Sequence, residues 1–251
     1  MQRFKDRVVI ITGAARGMGM ACALSFLSEG AKAALVDINS NNVDLAAPPL
    51  SKYAGKVRAF NCDVASSQDV QKTVNAVIND FGTIDVLVNN AGILSTTTPL
   101  EDIEEEQWDR ILNVNLKGVF LFAKAVLPIM RQKRYGKIVN ISSSAGRSTS
   151  ELGGAHYTVS KAGVLGLTRH AAREYGPFGI NVNAICPGLV ETPMIREKAG
   201  QEKLKFWQSQ IPLGRFADTA EEADLVMFLA SDQASYITGA SIDFNGGSLL
   251  L

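Results

Sequence analysis

The tightest constraint on this chain is the run Val8-Val9-Ile10-Ile11-Thr12-Gly13-Ala14-Ala15-Arg16-Gly17-Met18-Gly19, an apolar segment that ends in three closely spaced glycines and then opens a helical pattern. Four apolar residues without polar alternation read as a central strand of a parallel sheet, covered on both faces. Gly13, Gly17 and Gly19 permit a tight turn, close approach of backbone to a pyrophosphate and close helix-on-strand contact. The helix N-terminus then offers N–H donors to the phosphates. The spacing is G-x-x-x-G-x-G, not G-x-G-x-x-G, and on its own such a turn also admits a purely structural reading. A second apolar run, Ala33 to Val36, ends in Asp37, where a carboxylate can hold ribose hydroxyls.

The remaining pattern is consistent with that start. Apolar strands alternate with segments of helical period to the end of the chain, which predicts an α/β fold: a single-domain, doubly wound parallel sheet of about seven strands with helices on both faces. After a helix over 17–29, the short segment 40–47 is expected to be a helix ended by Pro48-Pro49. Strands are expected at 57–62, 84–89, 136–142, 180–185 and 240–244. Ser66 caps a helix to about Asp80, a helical region runs from Glu104 to about Met130, and further helices are expected over 155–175 and 219–230. The stretch 193–210 is polar and amphipathic, with Met194, Phe206 and Trp207 as scattered large apolar groups, and reads as a lid over the strand ends. The expected substrate wall comprises Leu94, Ser95, Thr96, the loop 147–154, His156, Leu189, Met194 and Trp207. His156 is read as a wall or packing residue and His170 as structural.

Bulk properties exclude several classes. With 251 residues, 46% of them hydrophobic, the chain suffices for one large core, and no second domain is expected. Lys+Arg 25 balances Asp+Glu 25 without a basic run, which argues against nucleic acid or an anionic membrane as partner. Cys22, Cys62 and Cys186 form no C-x-x-C pair, and His156 and His170 are the only imidazoles, so neither a disulfide framework nor a metal site is expected. The first strand follows almost at once on Met1, with no signal-peptide pattern, and no apolar run approaches membrane-spanning length; the expectation is a cytoplasmic protein.

Tyr157 and Lys161 stand four residues apart, so on a helix both project from one face. A phenol ordinarily titrates near 10, and a neighbouring ammonium favours the phenolate, which makes the phenol a usable general acid or base near neutrality. A serine at a strand end, among Ser142, Ser143 and Ser144, can polarise the same substrate oxygen.

Taken together, these segments resemble the short-chain dehydrogenase/reductase family over essentially the whole length. The family's T-G-x-x-x-G-x-G motif stands here as Thr12 to Gly19, its N-N-A-G as Asn89 to Gly92, its mid-helix asparagine as Asn115, its Y-x-x-x-K as Tyr157 and Lys161, and its P-G turn as Pro187-Gly188. The resemblance implies that Tyr157 is the general acid/base, that Lys161 lowers its pKa and holds the nicotinamide ribose, and that Asn115 supports a water relay. It implies Ser143 as the residue that polarises the carbonyl, in preference to the adjacent Ser144. Cofactor contacts carried over in the same way fall on Gly13, Arg16, Gly17, Met18, Gly19, Asp37, Asp63, Val64, Asn90, Gly92, Tyr157, Lys161, Pro187, Val190 and Thr192. Bland alternatives stand beside several of these: Asp63 can cap a turn, Asn90 can brace a loop, and Thr192 can cap the lid helix.

The implied function is reversible hydride transfer between a nicotinamide cofactor and a secondary alcohol or ketone. Alternatives are a 3-oxoacyl thioester (acyl carrier protein) reductase using NADPH, a dinucleotide-binding sensor without catalysis, and an epimerase or dehydratase, for which the chain lacks a larger C-terminal domain. NAD(H) is the preferred cofactor on the strength of Asp37, with Arg16 leaving NADP(H) open. A homotetramer is implied, and the apolar Leu249-Leu250-Leu251 tail is expected to be covered by a partner subunit.

Overall fold

The computed structural model describes residues 2–40, 43–46, 48–95, 97–150, 152–192 and 200–251. Strand β1 (Val8–Thr12) enters the middle of a seven-stranded sheet. Helix α1 (Gly17–Ser28), β2 (Lys32–Asp37) and β3 (Val57–Asn61) extend the sheet to one side. Helix α2 (Ser67–Phe81) then crosses back to β4 (Val86–Asn89) on the other side of β1. Helices α3 (Glu105–Leu112) and α4 (Gly118–Lys133) lead to β5 (Gly136–Ile141), and α5 (Gly154–Tyr175) leads to β6 (Ile180–Pro187). Helices α6 (Gln201–Ser209) and α7 (Thr219–Ala230) precede the last strand, β7 (Ser241–Phe244). The strand order is β3-β2-β1-β4-β5-β6-β7 with parallel pairing throughout. The order reverses between β1 and β4, where a crevice must open beyond the strand ends.

The pleat explains why β1 reads as an unbroken apolar run. Val9 and Ile11 enter the core on the face covered by α1 and α7, whereas Val8 and Ile10 enter the core on the face covered by α2 and α4. Both cores are dry, so alternation would have buried an unpaired polar group. Helix α2 is capped by Ser66, whose hydroxyl accepts from the Asp69 N–H, and ends on Gly82 at φ 84, a left-handed C-cap. In α7, Asp218 and Glu221 close a reciprocal capping box.

Several expectations need correction. Residues 43–46 are coil and turn, not helix, and 41, 42 and 47 lie outside the described residues. Asp44 accepts from the Ala46 N–H at 2.9 Å, a local turn that competes with helical bonding in so short a segment. Strand β4 starts at Val86, because the Asp85 carboxylate accepts from Val8 N–H at 2.8 Å and forms ion pairs with Arg7 and Lys133. Strand β6 runs on to Pro187, since the backbone of 184–187 pairs with β7. The helical region after Glu104 is not uniform: residues Asn113–Lys117 form a π turn between α3 and α4. By length and mean hydropathy the run Glu105–Lys133 is apolar enough to cross a membrane. Here it is a core helix, with Phe122, Val126 and Met130 fully buried in the same cluster as Val74 of α2 and Leu87 of β4.

Candidate active site

The glycine turn sits at the point where the strand order reverses. Gly13 has φ 66, and a Cβ on Gly19 would fall 2.3 Å from the Gly13 carbonyl oxygen and 2.7 Å from Asn90 Nδ2, so the first turn of α1 tolerates nothing larger. Asn90 locks the turn from the β4 side. Its Nδ2 donates to the Thr12 and Gly13 carbonyls at 2.9 and 3.1 Å, and the Thr12 hydroxyl accepts from the N–H groups of Asn90 and Ala91, each at 3.0 Å. Helix α1 starts without a side-chain cap, and among the described residues the buried Asn90 Oδ1 has no hydrogen-bond partner. An uncapped helix N-terminus beneath a glycine cradle is the donor set a pyrophosphate needs, so the residues present fit a dinucleotide. Asp37 closes the far end of this groove. Its two carboxylate oxygens accept from Ala15 N–H at 3.1 Å and Asn39 N–H at 2.9 Å, which fixes the carboxylate beside the turn.

A cleft of about 500 Å³ continues from the turn over the ends of β4, β5 and β6. Met18, Asn90, Gly92, Ser143, Tyr157, Lys161, Pro187, Val190 and Thr192 all line it. Gly13, Arg16, Gly17 and Gly19 belong to the adjoining glycine turn and Asp37 is tied to it through Ala15 N–H, whereas Asp63 and Val64 stand beyond the end of β3. Asp63 accepts from Ala65 N–H at 2.9 Å, which is the turn-bracing geometry. Asn115 is fully buried in the π turn, below the cleft. Its Oδ1 accepts from Ile93 N–H at 2.8 Å, and its Nδ2 donates to the Ile93 carbonyl at 2.9 Å and to Ser160 Oγ at 3.3 Å. The π turn aims Asn115 at the loop after β4, and nothing in the residue pattern announces it.

Helix α5 presents Tyr157 and Lys161 to the cleft together. Gly153 lets the Tyr157 ring lie against the backbone, since a Cβ there would be 2.6 Å from its Cγ. Lys161 is buried, with Nζ donating to the Ile141 carbonyl at 2.8 Å and lying 5.7 Å from the Tyr157 ring centre. Burial pulls the Lys161 ammonium down to about 8. The Tyr157 phenol departs from expectation: burial pushes it above its ordinary value, and the opposing influence is the nearby Ser143 hydroxyl rather than the Lys161 charge. Lys161 directs its ammonium at the end of β5, where the Ile141 carbonyl is its close partner. Both neighbouring serines line the cleft; Ser143 is the one whose hydroxyl influences the phenol, while Ser144 opens a turn in which its carbonyl accepts from Arg147 and Ser148 N–H at 3.0 Å each.

Of the expected wall, Leu94, Ser148, Thr149, Ser150, Leu152, Leu189 and Trp207 line the cleft. Ser95 is drawn off it by a hydrogen bond from Gln107, and Thr96, Met194 and the first part of the lid, residues 193–199, lie outside the described residues. His156 does not reach the wall: it is fully buried, a packing residue whose imidazole burial keeps below its ordinary pKa. Gln210, at the end of the expected lid, lines the cleft too, whereas Ile211 and Ser248 have no signal in the sequence that marks them. Sequence reasoning placed Leu249 on a subunit surface, whereas Leu249 lines the cleft of its own chain and its carbonyl accepts from Asn245 Nδ2 at 3.0 Å. Among the described residues no cluster of three or more metal-ligating side chains exists.

A family described as enoyl-(acyl carrier protein) reductase matches residues 13–248. The chain is 42% identical to a 3-oxoacyl-[acyl-carrier-protein] reductase FabG of Thermotoga maritima, covering 99% of this chain and 100% of that protein. It is 40% identical to 2-(R)-hydroxypropyl-CoM dehydrogenase of Xanthobacter autotrophicus, covering 96% and 98%. The crystal structure of a levodione reductase superposes with a TM-score of 0.90 at 37% identity, covering 98% of each chain.

Proposed function

Since the chain belongs to the short-chain dehydrogenase/reductase family, NAD(P)-dependent oxidoreductases that interconvert alcohols and ketones, we propose that Tyr157 is its proton donor and acceptor, with Ser143, Lys161 and Asn115 in support. The observation that carries this reading is the joint presentation of Tyr157, Ser143 and Lys161 to one cleft that continues into the glycine turn. A dinucleotide would be held by Gly13, Gly17, Gly19 and the α1 N-terminus at its phosphates, by Asp37 at the adenosine ribose and by Lys161 at the other ribose; Arg16, Met18, Asp63, Val64, Asn90, Gly92, Pro187, Val190 and Thr192 flank it. When bound, the nicotinamide supplies the hydride for carbonyl reduction and accepts it in the reverse direction.

In the reductive direction Ser143 donates a hydrogen bond to the substrate oxygen and Tyr157 transfers its phenolic proton there as negative charge develops. Desolvation, which raises the phenol, favours keeping that proton until the oxygen needs it. The Lys161 ammonium then stabilises the tyrosinate through the field of the cleft, and Asn115 holds the loop at Ile93 that forms the cleft's opposite wall. For alcohol oxidation the same groups run in reverse, with Tyr157 starting as base.

The cleft lining combines Leu94, Leu152, Leu189 and Trp207 with Ser148, Thr149, Ser150 and Gln210, a mixture suited to a small or medium ketone or secondary alcohol with some polar substitution. The preferred cofactor is NAD(H). A second reading, reduction of a 3-oxoacyl thioester with NADPH, draws support from the similarity to FabG. A screen of secondary alcohols, ketones and 3-oxoacyl thioesters with both cofactors, followed by reduced-nicotinamide absorbance, is expected to give turnover with non-acyl ketones. Turnover confined to 3-oxoacyl thioesters favours the second reading, and cofactor binding without turnover of any of these compounds reduces the protein to a sensor.

The chain is further proposed to work as a cytoplasmic homotetramer, in keeping with three buried, unpaired thiols. Phe120 of α4 and Val159 of α5 are 45% and 43% exposed, and Leu250 and Leu251 are 83% and 80% exposed, which leaves apolar surface that a second copy of the chain would cover. Light scattering at micromolar concentration is expected to report a multiple of the 26.9 kDa chain mass, and the monomer mass would refute the assembly.

A further inference from the structure

Glu222 takes no part in the chemistry described above, yet its setting is costly. It lies in the first turn of α7, beside Glu221, which stays at the surface in the capping box and pairs with Arg215 at 2.7 Å. Glu222 points the other way. It is 1% exposed, and neither carboxyl oxygen has a hydrogen-bond partner among the described residues. A buried carboxyl left without hydrogen bonds is strongly unfavourable, so whatever compensates it must act through space.

The packing indicates the partner. Helix α7 lies on α1 and against β5 and β6. Ala223 and Val226, the next buried residues of α7, share a core cluster with Cys22 of α1 and with Ile141, the last residue of β5. The Ile141 carbonyl is the acceptor for Lys161 Nζ at 2.8 Å. A buried ammonium with a backbone carbonyl as its close partner and a buried carboxyl with no close partner thus converge on the same strand end, one from α5 and one from α7.

We propose that Glu222 is a positioning residue for the reaction: its buried carboxyl is the counter-charge that keeps Lys161 an ammonium beneath Tyr157. This rests on the reading of Tyr157 and Lys161 given above. The mutual influence has the required sign. Burial raises the Glu222 carboxyl and Lys161 opposes that rise; burial lowers the Lys161 ammonium and Glu222 opposes that fall. Glu222 is the one carboxyl acting on Lys161 among the described residues. The other titratable groups around the pair are weak competitors. Cys22 of α1 is pushed up by burial and by Glu222, and Cys186 of β6 is pushed up to about 11 beside the Arg147–Asp243 ion pair. Tyr157 of α5 is raised by burial, with Glu222 adding to the rise. Lys137 of β5 lies at the opposite end of its strand.

The test reads Lys161 directly in the full-length protein with ¹³C-labelled lysine side chains, its resonance identified by its loss in Lys161→Met. In Glu222→Gln the Lys161 titration midpoint is expected to fall by at least about half a pH unit, with Glu222→Asp intermediate. Coupling is reciprocal, so Lys161→Met is expected to raise the midpoint of the ¹³C-labelled Glu222 carboxyl by a similar amount, a measurement that leaves Glu222 itself intact. The alkaline limb of ketone reduction should move down with Lys161 in Glu222→Gln. A Lys161 midpoint unmoved in folded Glu222→Gln, or a Glu222 midpoint unmoved in Lys161→Met, overturns the proposal. An error in the reading of the active site would show instead as full turnover in Tyr157→Phe, with these midpoints still coupled.

Discussion

Tyr157→Phe is expected to lower kcat at least about a hundredfold while leaving dinucleotide affinity nearly unchanged. The ring rests in a cradle set by Gly153, where a Cβ would stand 2.6 Å from Tyr157 Cγ, and phenylalanine retains every one of those ring contacts. What disappears is the hydroxyl that carries the proton. Lys161 keeps its own anchor on the Ile141 carbonyl, so its hold on a ribose should survive. Steady-state kinetics with fluorescence titration of the reduced cofactor separate the two effects. Turnover within a few-fold of wild type would remove Tyr157 from the chemistry.

The second large effect concerns cofactor choice. Wild type is expected to prefer NAD(H) by at least tenfold in kcat/KM, and Asp37→Ser to shift the ratio towards NADP(H). The Asp37 carboxylate is held in place by Ala15 and Asn39 N–H groups, so it cannot swing away from a 2′-phosphate without breaking both bonds. For a phosphate charge near −2 at ~5 Å and an effective dielectric between ~20 and ~80, the repulsion is about 2–7 kcal/mol, and even the low end exceeds tenfold. Arg16 stands exposed at the turn and offsets part of this. Ile38, 60% exposed, occupies the following position and supplies no second cation. A wild-type preference for NADP(H), or a ratio unmoved by Asp37→Ser, contradicts the assignment.

How much of this was legible in the sequence depended on whether a residue's role is local. The β1 run, the glycine turn and the Ser66 cap each follow from a few adjacent residues, and the structure has them where the pattern places them. Tyr157 and Lys161 face one cleft because four residues on a helix dictate it. Roles set by distant partners were hidden. The start of β4 depends on Asp85 meeting the Val8 backbone, and the π turn at Asn115 depends on bonds to Ile93. Leu249 turns into its own cleft only because Asn245 ties down the tail. Glu222 looked like one more acid in a helix's first turn, and only its burial next to the end of β5 sets it apart from Glu221. The Tyr157 phenol shows the same limit, since spacing indicates a nearby cation but not that burial outweighs it.

The account's central claim is that this cleft transfers hydride directly between a nicotinamide ring and a carbinol carbon while Tyr157 handles the proton. The most direct measurement is the fate of the label when cofactor carrying deuterium at the reactive nicotinamide carbon reduces a ketone found in the substrate screen. The account predicts deuterium on the carbinol carbon of the product and solvent-derived hydrogen on its oxygen. Product whose carbinol carbon carries hydrogen from solvent, with the label left on the cofactor or lost to water, would contradict it.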